Sequence, residues 1–174
     1  MAGVSLEYRI DDAELRAAWR QLEILMGDTT PVMRTIGKGL VKDTHGHFET
    51  ESDPWGNAWA PLNPAYAETK RGAGILRESA MRGGLMGSIT YRAGRDSVET
   101  GSNKPYAGVH QGGATIEPKN GKYLRFPLGD GYAQVESVTI PARQYLGIGP
   151  HEERTILESV IDALDRAVAR ASGI

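Results

Sequence analysis

The sequence predicts an α+β fold, an antiparallel sheet of about four or five strands packed against long helices with a protruding central loop or arm. Three observations predict it. Helical periodicity runs through both ends of the chain. Paired runs of alternating apolar residues, each turning on glycine, fill the region between 85 and 140. Residues 53–84 carry prolines, glycines and basic residues and follow neither period.

Composition bounds the rest. A chain of 174 residues, 40% hydrophobic and 24% charged, fits one soluble domain over 1–174 with a single core. Its 22 glycines and nine prolines mark many turns. A net charge of -2 and a pI near 6.1 argue against a generic nucleic-acid coat, because duplex binders carry a basic face. The absence of cysteine excludes disulfides, thiolate zinc sites and a cysteine nucleophile. The first residues lack a basic segment followed by an apolar one, and no window approaches about 18 consecutive apolar residues. A protein made in the cytoplasm, with no membrane partner, is expected.

Val4, Leu6, Tyr8 and Ile10 alternate with polar residues, as in a half-buried strand. Asp11 or Asp12 then caps a helix with Leu15, Ala18, Trp19, Leu22 and Leu25 on one stripe and Gly27 as its end. Thr29 or Thr30 before Pro31 starts a second helix, carried by Val32, Ile36, Leu40 and Phe48 toward residue 50. The stretch from Asp53 to Pro64 holds three prolines and two of the three tryptophans. Indoles in such a loop either pin it to the domain or await a partner, and burial of aromatic area favours pinning. Residues 71–84 read as a mobile arm, with Ile75 and Leu76 as isolated apolar residues.

A hairpin follows, Leu85–Ala93 with Ser97–Gly101 around Gly94-Arg95-Asp96. Pro105–Gly113 comes next, with Tyr106, Val109 and His110 at helical spacing and glycines closing the turn. A second hairpin joins Tyr123–Leu128 to Tyr132–Ile140 around Gly129-Asp130-Gly131. Pro150 opens the last helix, whose apolar residues are Ile156, Leu157, Val160, Ile161, Leu164 and Val168. Glu152 and Glu153 lie in its first turn and Arg166 and Arg170 near its end, as the helix dipole prefers.

Chemistry is sparse. His45, His47 and Glu49 lack the spacing of a zinc-binding helix, and a solvated helix face is the simpler reading. His110 could serve as a base, and a small cytosolic hydrolase or nuclease using His110 and nearby carboxylates is the alternative kept open. No Gly-x-Ser-x-Gly elbow accompanies it. Gly72-Ala-Gly74 and Gly147-Ile-Gly149 lack the third glycine of a dinucleotide fingerprint. No catalytic residue, cofactor or metal is expected. Lys70, Arg71, Arg77 and Arg82 form the best basic cluster, suited to a protein partner or passing contact with phosphate.

The ordered set Phe48, Pro54-x-Gly56-x-x-Trp59-x-x-Leu62, Ile75-Leu76, Leu85-x-x-Ser88-Ile89, Val98-x-x-Gly101-Ser102, Tyr106-Ala107-x-x-His110-Gln111-x-Gly113 and Ile140-Pro-Ala-Arg143-x-Tyr145-Leu146-Gly147 resembles the phage virion morphogenesis, or tail completion, family over roughly residues 30 to 165. Gln144 and Tyr145 depart from the proline and phenylalanine common there. The resemblance implies a non-enzymatic structural protein of a tailed bacteriophage or prophage, acting in tail completion and head-to-tail joining. It implies a homo-oligomeric ring, expected to be a hexamer, at the neck or tail end of the virion. Its partners would be the tail tube protein and the head-tail connector, with passing contact with phage DNA. The expected assembly interface is Trp55, Trp59, Lys70, Arg71, Arg77, Arg82, Arg143 and Tyr145. Tyr106, Val109, His110, Gln111 and Gly113 are expected to form a structural corner, with His110 and Gln111 hydrogen-bonding neighbouring main chain.

Overall fold

The computed structural model describes residues 13–70, 72–77, 84–128 and 131–172. The expected strand Val4–Ile10, the caps Asp11 and Asp12, Arg71 and Arg82 of the arm, and the turn residues Gly129 and Asp130 lie outside these. The fold is α+β. In chain order the elements are α1 (Ala13–Gly27), α2 (Thr30–Thr50), α3 (Pro64–Thr69), β1 (Ile89–Ala93), β2 (Val98–Ser102), α4 (Ala107–Gly112), β3 (Ala114–Ile116), β4 (Leu124–Leu128), β5 (Gly131–Val135), β6 (Val138–Ile140) and α5 (Pro150–Ser172).

The strands do not form one sheet. Among the described residues they make three antiparallel pairs, β1 with β2, β3 with β6 and β4 with β5. The run expected as a single strand over 132–140 breaks at Glu136-Ser137. Its first half pairs Tyr132 with Pro127 and Ala133 with Phe126, while Val138 and Ile140 leave to face Ile116 and Ala114. Short ribbons of this kind are marginal alone and depend on what they pack against.

The helices and the first hairpin pack in series. α1 packs on α5, α5 on α2, and α2 on the β1–β2 hairpin. Val32, Ile36 and Leu40 of α2 meet Ala163 of α5 in one buried cluster, with Val98, Ile156 and Val160 packed beside it. Close approach is needed at Gly37, where an added Cβ would enter the Tyr91 ring of β1. The start of α2 differs from the threonine cap expected: Asp28 accepts from the Thr30 N–H at 3.0 Å, whereas Thr29 makes no capping bond. Hydrogen bonds from the Thr30 side chain and backbone lead the causes that hold the Asp28 carboxyl below its ordinary range. Arg95, at the tip of the first hairpin, donates to the Gly27 carbonyl, and the Thr29 hydroxyl donates back to the Arg95 carbonyl. The hairpin tip is thereby tied to the α1–α2 junction.

A second cluster lies at the other end of α2. Phe48, Trp59, Ile75, Leu85, Ile89, Ala107 and Tyr145 are buried together. Ile75 belongs to the stretch that reads from sequence as a mobile arm, yet its side chain sits in this core. Its N–H donates to Glu51 Oε1 at 2.8 Å. Glu51 caps α2 at a φ of 55°, a left-handed conformation unusual for a residue with a Cβ.

Candidate functional site

The site is an aromatic knot and the polar frame around it. Phe48 is fully buried, with the Trp59 ring edge-on at 5.5 Å and the Tyr145 ring tilted at 5.2 Å. Such pairs add about 0.5–1.5 kcal/mol each beyond area burial. Each ring with a polar tip has a partner, as burial demands. Trp59 Nε1 donates to the Gln144 carbonyl at 2.8 Å, and the Tyr145 hydroxyl donates to the Ala107 carbonyl at 3.0 Å. Burial pushes the Tyr145 hydroxyl pKa upward.

Two side chains lock the loop 141–149 over the knot. Arg143, buried, donates from Nε to the Ala60 carbonyl at 2.8 Å and from Nη2 to the Pro61 carbonyl at 3.0 Å. Burial pulls its pKa down from the ordinary arginine value. Gln111 works as a double clamp: Oε1 accepts from the Tyr145 and Leu146 N–H groups, both at 3.1 Å, while Nε2 donates to the Leu146 carbonyl at 2.6 Å. The corner is therefore held to neighbouring main chain by the Gln111 side chain. His110 contributes through its carbonyl, which accepts from the Arg143 N–H at 2.7 Å, and through its ring, edge-on to Tyr106 at 5.9 Å. Val109 is half-buried. Gly113 turns the chain at a φ of 72°, and a Cβ there would meet the Ala142 nitrogen.

The expected assembly interface divides accordingly. Trp59, Arg143 and Tyr145 are each over nine-tenths buried and bonded inward. Trp55 remains at the surface, 53% exposed, with one ring edge close over Gly147. Its loop is pinned from beneath by Asp53, whose carboxylate accepts from the Trp55 and Asn57 N–H groups and from Asn57 Nδ2. Lys70 folds back, donating to the Arg77 carbonyl at 2.6 Å, and Arg77 stands 4.0 Å from Glu51.

A polar junction between α2 and α5 was not legible in the sequence. Glu152, read there as a helix-dipole acid, is buried. Its Oε1 lies 2.7 Å from His47 Nε2, and its Oε2 accepts from the Gly149 N–H at 2.9 Å. Asp43, also buried, accepts from Thr155 at 2.7 Å and lies 3.2 Å from His151. His45 turns elsewhere, with Nε2 3.0 Å from the Met86 carbonyl. Asp43 and His47 are four residues apart on α2, so they share a face and meet consecutive residues of α5. The two pairs bind helices together. Among the described residues no group of three or more His, Asp or Glu could hold a metal ion, and no helix is long and apolar enough to cross a membrane.

The exposed surface is the other half of the site. α5 is apolar on two sides. Ile156, Val160 and Ala163 face the core, whereas Leu157, Ile161, Leu164 and Val168 face solvent, as do Trp19 and Ile24 of α1. Tyr123 and Tyr132 of the β4–β5 ribbon are likewise exposed. The sequence pattern reads all the α5 residues as one stripe, because two adjoining apolar faces look like one broad face until packing divides them.

Comparison with known proteins gives a consistent result. The family model described as the phage virion morphogenesis family matches residues 10–165. Similar relatives include the putative capsid assembly protein G of Escherichia phage Mu, 25% identical over 97% of each chain. The Mu-like prophage FluMu G protein 2 of Haemophilus influenzae is 29% identical over 90% of this chain and 94% of its own. FluMu G protein 1 of the same organism is 28% identical over 65% and 79%. No solved structure matches.

Proposed function

The chain belongs to the phage virion morphogenesis family, and from that premise we propose that it is a non-enzymatic structural protein that completes the phage tail and joins it to the head. A role in phage virion assembly follows from the family itself. In the finer reading, copies form a ring, a hexamer, at the neck, capping the tail tube and meeting the head-tail connector, after synthesis in the host cytoplasm. The observation that carries it is the apolar surface left over after folding. Leu157, Ile161, Leu164 and Val168 on α5, with Trp19 and Ile24 on α1, stay 40% to 67% exposed although the same helices already pack inside the chain. Contiguous exposed apolar surface marks protein contacts. A ring also needs two unlike surfaces, one to offer and one to receive, and the helical face and the aromatic ribbon answer that need.

The test is deletion of the gene with complementation. Deletion is expected to leave heads and tails unjoined, and the purified protein at high concentration, or added to tails, is expected to show rings by negative-stain microscopy. Intact tailed particles from the deletion, with neither rings nor tail binding, would overturn the reading.

A further inference from the structure

We propose that neighbouring copies of this chain join by seating the cationic, aromatic outer face of the β4–β5 ribbon of one copy on the acidic, apolar outer stripe of α5 of the next. The inference rests on the ring reading above and names its two surfaces.

The receiving surface is read from helix geometry. Leu157, Ile161, Leu164 and Val168 are spaced so that they stack along one side of α5. Glu158, Asp162 and Asp165 each follow one of the first three by a single residue, about 100° further round, and so line one flank of the stripe. Between 157 and 165 there are three acids and no base. The ion pair from Asp162 to Arg166 is long, at 3.9 Å, with both side chains exposed, and such pairs contribute little. Asp162 can exchange it for a better partner.

The offered surface is read from strand alternation. Leu124, Phe126, Leu128, Ala133 and Val135 form the half-buried face of the ribbon, and Arg125, Pro127, Tyr132 and Gln134 the exposed one. Tyr123 extends the exposed face. Two cations are already laid on rings there: Lys122 Nζ is 5.2 Å from the Tyr123 ring centre, and Arg125 Cζ is 4.7 Å from that of Tyr132. Cation–π contact holds each charge over an aromatic plane, so ring and charge arrive together. Tyrosine and arginine are the residues enriched at interface centres.

Charge decides the occupant. The charges laid over the rings of this face are Lys122 and Arg125, opposite in sign to the acids in the middle of α5. The tyrosines match the leucine and isoleucine side chains, and the cations match the acids beside them. A nucleic acid would meet a chain of net charge -2 with its acidic helix exposed on the same molecule, whereas a second copy brings the countercharge with it. Because the two surfaces lie on different elements, the contact is heterologous and passes from copy to copy.

The chain has no cysteine, so introduced thiols report one pairing at a time. Tyr132→Cys and Ile161→Cys both fall at exposed positions. Mixed and oxidised at high concentration, the two variants are expected to give covalent dimers at least about tenfold faster than either alone, because the docked geometry raises the effective thiol concentration. Arg125→Glu in the Tyr132→Cys chain is expected to lower that yield about tenfold, and Asp162→Arg in the Ile161→Cys chain to restore it. Cross-linking in the mixture no faster than in the separate variants would overturn the pairing. If rings were then still seen by microscopy, the ring reading would stand and only these surfaces would be wrong. Salt-sensitive DNA retention abolished by Arg125→Glu, without preferential cross-linking, would overturn it in favour of a nucleic-acid surface.

Discussion

His47 Nε2 on α2 lies 2.7 Å from Oε1 of Glu152 on α5, across 105 residues of sequence. Glu152 is only 2% exposed, and its two oxygens are met by the histidine ring and by the Gly149 N–H. Removing one partner of a buried hydrogen bond leaves the other group desolvated and unmet. His47→Ala is therefore expected to destabilise the fold by about 1–3 kcal/mol, read as a lower urea midpoint with unchanged slope.

Gly149 tests the same junction from the backbone. A Cβ there would fall on the Pro54 carbonyl, with Glu152 Oε2 3.2 Å away. Neither neighbour can retreat easily, since one is main chain and the other is bonded to Gly149 itself. Gly149→Ala is expected to cost at least about 2 kcal/mol, whereas Gly27→Ala, where nothing lies within 4 Å, should leave the melting temperature almost unchanged.

Arg143 separates charge from geometry. Its planar fork serves two adjacent carbonyls, Ala60 and Pro61, which a lysine ammonium cannot reproduce. Arg143→Lys is expected to retain the charge yet lose about 2 kcal/mol, and Arg143→Ala about 3 kcal/mol. Equal stability of the lysine variant and the wild type would refute this account.

Gln111 carries the corner. Its three bonds to residues 145 and 146 leave buried main-chain groups unmet when it is removed. Gln111→Ala is expected to cost about 1–3 kcal/mol and to expose the Leu146 amide to hydrogen exchange ahead of global unfolding.

Acid should loosen the Trp55 loop. Burial pushes the Asp53 carboxyl upward, but it is outweighed by donors from the Asn57 side chain and backbone and from Trp55 and Gly56, which together hold it below its ordinary range. A carboxyl depressed on folding contributes stability above its unfolded pKa, near pH 4, and loses it as the pH falls through the folded value. The gap in melting temperature between wild type and Asp53→Asn is expected to be widest above about pH 4 and to close below it.

Much of the fold was legible because it depends on local period. The span of α2 emerged from Pro31 and the Val32, Ile36, Leu40 and Phe48 pattern, and the first hairpin from its glycine turn. Three features were not legible. The pairing of β6 with β3 joins residues 22 to 26 apart in sequence, and nothing local to Val138 announces its partner. The burial of Glu152 depends on a histidine from the other half of the chain. Trp59 and Trp55 stand four residues apart in one irregular loop, yet one is buried and the other exposed, because a loop without period gives no rule for which side faces inward. The residues that carry the family resemblance, Phe48, Trp59, Leu85, Ala107, Gln111 and Tyr145, prove to be the knot and its clamps. Recognition from sequence therefore read the scaffold, while the exposed stripe of α5 lay outside those motifs.

The knot also sets a timetable. Its rings come from positions 48, 59 and 145, and its clamps span 83 residues from Arg143 to Ala60 and 34 from Tyr145 to Gln111. The Phe48–Trp59 contact is local, but the Tyr145 ring and both clamps can join it only once the loop around Tyr145 has emerged from the ribosome. Closure of such long loops is slow. α5, the element with the exposed stripe, follows Tyr145 in the chain. The receiving stripe of α5 therefore appears only after the residues that close the knot, whereas the β4–β5 ribbon precedes them.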